Sequence, residues 1–174
     1  MRKAMSSANS VFSVQTLTRL AMLTTIALIV FVIEAQLPPL APIPGIKLGL
    51  SNVITLFTMF WLGRREAFLV LVMRIVLGSM FTGHLMVMIY SLSGGLLSFF
   101  IIALAFRTFS RQHVWIPSII SGIFHNIGQI LCAVIVTGTP AIAAYLPVLI
   151  LSGCITGLFT GLVAQFVLNH RYIR

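Results

Sequence analysis

The sequence has 174 residues and no aspartate at all, and only 7% of its residues are charged. Its carboxylates are Glu34 and Glu66 alone. It has no Gly-x-x-x-x-Gly-Lys-Ser/Thr loop, so it cannot hold a nucleotide in that manner. No Cys/His cluster has metal spacing, and no nucleophile–base–acid set is recognisable. Cys132 and Cys154 both lie inside apolar runs, where they read as small buried hydrophobes rather than a disulfide framework. These absences argue against catalysis and against a resident metal or cofactor. Binding and translocation remain.

What is present is apolar. Hydrophobic residues make up 59% of the chain, and the mean hydropathy is +1.11. A soluble domain of this size could not cover so much apolar surface with so few charges, so the chain reads as an integral membrane protein. The net charge of +9 does not mark a nucleic-acid binder. The basic residues sit singly or in pairs between apolar runs, the pattern of lipid-headgroup contact. The N-terminal MRKAMSSANS is basic, as a signal peptide would be. The run from Leu20 to Ile33, however, leads into Glu34 without a small-residue cleavage site, and is expected to be a retained first span.

Apolar segments fall at roughly 17–36, 47–63, 66–82, 86–106, 114–137 and 142–168. Gly63, Arg64 and Arg65 turn the chain between the second and third, and Thr137 to Pro140 break the last long run. With six spans, Arg2, Lys3, Arg19, Arg64, Arg65, Arg107, Arg111, Arg171 and Arg174 share one side, which the positive-inside rule makes the cytoplasm. Only Lys47 lies opposite. The expected fold is therefore an all-α, six-helix membrane bundle with both termini cytoplasmic. Residues 17–170 form its single domain, between cytoplasmic segments 1–16 and 171–174. Gly153, Gly157 and Gly161 recur every four residues, and Gly95 pairs with Ser91 in similar register. Such small stripes allow close helix packing, within this chain rather than across a dimer.

Glu34 to Asn52 reads EAQLPPLAPIPGIKLGLSN, a stiff, proline-rich cap between two apolar segments. Lys47, Ser51 and Asn52 stand where it enters the second span. Lys47 is either a ligand contact or an interfacial lysine. Arg74 lies nine residues beyond Arg65, about 13 Å along a helix and close to mid-membrane. An arginine there costs at least about 3 kcal/mol and needs a partner. Either Glu34 pairs with it structurally or it meets an anionic ligand group. Loss of ligand from an inserted Arg74→Ala protein would favour the ligand. Failure of both Arg74→Ala and Glu34→Ala to fold would favour the pair. His125, Asn126 and Gln129 lie at similar depth, with His125 and Gln129 on one helix face. They suit a carboxylate or a polar ring, or else pack by hydrogen bonds. His84, Tyr90, Thr137 and Thr139 are further candidates placed on the outer side.

The run PGIKLGLSNVITLFTMFWLGRREAFLVLVMRIVLGSMFTG, followed by SLSGGLLSFFIIAL, resembles the substrate-binding (S) component of energy-coupling-factor (ECF) vitamin transporters. More closely, PIPGIKLGLSN, HNIGQ and TGTP…YLPVLILSGCITGL are similar to the Gx transporter family, also labelled heptaprenyl diphosphate synthase component I. The resemblance implies a bacterial, multi-pass bundle holding a small molecule beneath its first outer loop. It further implies docking on a transmembrane coupling subunit driven by ATP-hydrolysing partners. The family's small face on span one corresponds here to Ala21 and Thr25. The competing label implies a membrane partner in isoprenoid or quinone synthesis. Without aspartate the chain could not itself hold magnesium and diphosphate. A third implication is flavin or quinone trafficking for extracellular electron transfer.

Overall fold

The computed structural model describes residues 13–38, 49–83, 85–105, 108 and 113–172. Among these, six α-helices follow one another: α1 Val14–Ala35, α2 Asn52–Trp61, α3 Arg64–Thr82, α4 Leu85–Ala105, α5 Trp115–Thr137 and α6 Leu146–Tyr172. A 3₁₀ helix, Pro140–Tyr145, leads into α6. Ser13 starts α1 by accepting the Thr16 N–H on its hydroxyl at 3.2 Å. Gly63 joins α2 to α3 at φ 128°, a left-handed conformation that a side chain would resist.

Among the described residues, four helices are long and apolar enough to cross a membrane: α1, α4, α5 and the segment containing α6. The other two fall short for different reasons. α3 has 19 residues, but Arg64, Arg65, Glu66 and Arg74 interrupt its apolar character. α2 has only 10 residues, about 15 Å of rise against a hydrocarbon core of about 30 Å. It is a half-length helix. The apolar pattern over 47–63 reads as a whole span, whereas the helix itself occupies 52–61.

α5 packs along both α4 and α6, while α1 lies along α3 with α2 beside them. Leu20, Leu23 and Ala27 of α1 meet Val70 of α3. Leu56, Met59 and Phe60 of α2 join Leu71, Ile75, Phe99 and Ala164 in the largest apolar cluster. The α5–α6 seam is glycine-lined. A Cβ added at Gly153 would come within 2.8 Å of the Gly122 carbonyl, and one at Gly157 within 2.7 Å of the Ser118 carbonyl. At Gly161 the obstacle would be Trp115 Cα, at 2.6 Å. Gly95 faces Leu71 and Ile75 of α3 instead. Ser98 and Ser121 share a hydrogen bond at 2.6 Å, tying α4 to α5.

The basic ends gather. Arg19 of α1 lies over the Trp61 ring at the end of α2, 5.5 Å from its centroid. Arg64, just beyond, donates to the Ala103 carbonyl at the end of α4 at 3.3 Å.

Candidate functional site

α2 starts inside the bundle, with Ser51 and Asn52 both buried. Ten residues of α3 separate Arg64 from Arg74, about 15 Å, which matches the length of α2 running back alongside. The two meet: the Arg74 guanidinium donates to the Ser51 hydroxyl and to the Asn52 side-chain oxygen. Arg74 is almost wholly buried, at 2% exposure.

Glu34 comes from the last turn of α1. Its carboxylate accepts the Gly49 N–H, and more distantly the Ser51 N–H at 3.5 Å. These backbone donors precede α2 and would otherwise have no partner within the helix. A helix N-terminus carries partial positive charge, so a carboxylate there is stabilised. Glu34 and Arg74 thus meet the same short segment, residues 49–52, and the Glu34 charge also acts on Arg74. An anion, two helix-start amides and a guanidinium form one buried unit.

α5 closes the unit. Gly49, at φ 79°, has no side chain, and a Cβ there would fall 2.7 Å from His125 Cδ2. His125 therefore presses its ring directly on the entry to α2. Its Nδ1 faces Gly94 of α4 without a well-formed hydrogen bond. Gln129, four residues on, is fully buried and packs its Cγ close to Gly94. Asn126 points the other way and donates to the Leu149 carbonyl of α6.

Of the residues singled out in the sequence, Glu34, Asn52, Arg74 and His125 come together, with Gln129 beside them. Asn126 belongs to the α5–α6 contact. Tyr90 is buried elsewhere, packed with Ile130, Ala133 and Leu149. Thr139 is exposed, and its hydroxyl donates to the Thr137 carbonyl at 3.3 Å. Ala21 and Thr25 lie exposed on α1, where the Thr25 hydroxyl donates to the Ala21 carbonyl at 2.9 Å. Lys47 and His84 lie outside the described residues.

Several buried polar atoms have no hydrogen-bond partner among the described residues: Asn52 Nδ2, Thr55 Oγ1, Arg74 Nε, His125 Nδ1 and Asn126 Oδ1. Each such atom costs about 1–3 kcal/mol if nothing meets it. Three of them, on Asn52, Arg74 and His125, belong to the residues around the start of α2. Two narrow clefts flank Asn52. One, of about 10 Å³, runs past Thr55 and Ser98. The other, also of about 10 Å³, runs past Gly49, Ser118 and Thr156. Each has room for about one water molecule and is far below the usual volume of a small-molecule pocket. Thr55 was not foreseen as a site residue, although it stands one helical turn from Asn52 on the same face. Gly49 also leaves room for His125, a contact that no spacing in the sequence reports.

A bundle of apolar helices around a buried ionic unit defines the class: a multi-pass helical membrane protein with a polar centre. Residues 23–167 match the family model described as heptaprenyl diphosphate synthase component I, and the chain belongs to that family. No curated protein and no solved structure matches it.

Proposed function

We propose that the chain is a non-catalytic, substrate-binding membrane subunit of the S-component type. It takes a small molecule with an anionic or polar ring group from the outer side of a bacterial membrane. It then passes the molecule inward together with an ECF-type coupling subunit and ATPases. The observation that carries this reading is the half-length α2, whose N-terminus meets Arg74 in the middle of the bundle. Broken helices of this kind aim their positive ends at anionic groups near the membrane midplane. A ligand carboxylate or phosphate would take the place of Glu34 on the Gly49 and Ser51 amides. Asn52, Arg74 and His125 would supply further donors, and Lys47 would join from the outer loop.

The gathering of Arg19, Arg64 and Arg65 near one another supports six crossings with cytoplasmic termini. Residues 17–170 are then one domain, and Ala21 and Thr25 present the face for the coupling subunit.

The family description favours a second reading: a membrane component that assists a prenyl diphosphate synthase carried by another subunit. Trafficking of a flavin or quinone is a variant of it. Purification of the tagged chain from its native membrane in mild detergent separates the two. Transport predicts a second membrane protein and ATPases in stoichiometric amount; a soluble prenyl synthase in their place overturns it.

A further inference from the structure

Away from this centre, an open groove of about 710 Å³ runs between α3 and α4. Its walls are apolar, with Phe68 and Leu69 on α3 facing Phe100 and Ala103 on α4. Its mouth holds Arg64 and Arg65, both exposed. Arg64 uses one nitrogen on the Ala103 carbonyl, which draws the guanidinium across the groove at 3.3 Å. The other donors of its five N–H groups remain available. Arg65 makes no hydrogen bond or ion pair among the described residues. The nearby carboxylate, Glu66, turns instead toward Gly63, where a Cβ would meet its Oε2 at 2.9 Å.

We propose that this groove seats an anionic membrane phospholipid, its phosphate on Arg64 and Arg65 and one acyl chain along the aromatic walls. The two halves of the groove select this occupant together. A zwitterionic lipid would fill the walls but bring a phosphate already neutralised by its own ammonium, leaving two guanidinium groups without a net counter-charge. A free phosphate would satisfy the arginines and leave the apolar walls empty. Basic pockets between membrane helices bind anionic headgroups for the same reason, each arginine adding attraction close to the surface. This lipid site involves neither Arg74 nor the start of α2, and stands apart from the transport reading.

The test is native mass spectrometry of delipidated protein titrated with phosphatidylglycerol or with phosphatidylcholine of the same chains. The wild-type protein is expected to retain phosphatidylglycerol about tenfold more strongly. Arg64→Gln with Arg65→Gln, both on the exposed end of α3, should remove that preference without unfolding the bundle. Ala103→Trp, which fills the groove, should weaken the retention of both lipids. Excess inorganic phosphate should not displace the lipid. Equal retention of the two headgroups, a preference that survives in the double variant, or displacement by phosphate would each overturn the proposal.

Discussion

Arg74 and Glu34 are the residues on which the interior turns. A charge in an apolar run is conspicuous, and both were legible in the sequence as candidates for pairing or ligand contact. Their junction was only partly legible. They converge on residues 49–52, so that Ser51 and Gly49 matter as much as the charges themselves. No composition or spacing reports which backbone amide a carboxylate will reach. If Glu34 occupies an anion position, removing its side chain should leave a vacancy that a small carboxylate can fill. Glu34→Ala leaves Arg74 without that counter-charge, a loss of about 3–5 kcal/mol in a buried setting. Formate should then raise the melting temperature of Glu34→Ala protein, and chloride at equal ionic strength should not. At about ten times its dissociation constant, formate would return roughly 1.4 kcal/mol, or a few degrees for a chain of this size. An equal response in wild-type protein would show that formate acts elsewhere.

At the scale of elements, the helices were largely written in hydropathy, and the breaks at Gly63 and Thr137 to Pro140 fall where the structure bends. α2 was the exception. Hydropathy sees an unbroken apolar stretch from residue 47, but it cannot see that the segment just before Asn52 is tied down by Glu34. The helical face shared by His125 and Gln129 was legible from a four-residue spacing. The diversion of Asn126 toward α6 was not, because its partner is a backbone carbonyl. The glycine stripe of α6 rests against α5 backbone, and this contact allows a direct test. Gly153→Val should force α5 and α6 apart at a cost of about 1–3 kcal/mol, lowering the melting temperature in detergent by several degrees. A melting temperature unchanged from wild type would mean that the seam tolerates a side chain.

For the molecule as a whole, charge placement and the internal site describe one device. Apolar helices carry it in lipid, Arg19 and Arg64 lie by the ends of α2 and α4, and a half-helix brings a positive terminus to the centre. We propose that this centre receives a solute rather than only holding helices together. Arg74→Gln tests it most directly, because glutamine can still donate to Ser51 or Asn52 while it lacks the charge. The measurement is mass spectrometry of small molecules extracted from equal amounts of folded wild-type and Arg74→Gln protein, each purified from cells in mild detergent. A stoichiometric anionic or polar-ring compound is expected in the wild-type extract, and its loss from the variant. The same compound retained at equal level in folded Arg74→Gln protein, or no compound in either, would contradict the proposal.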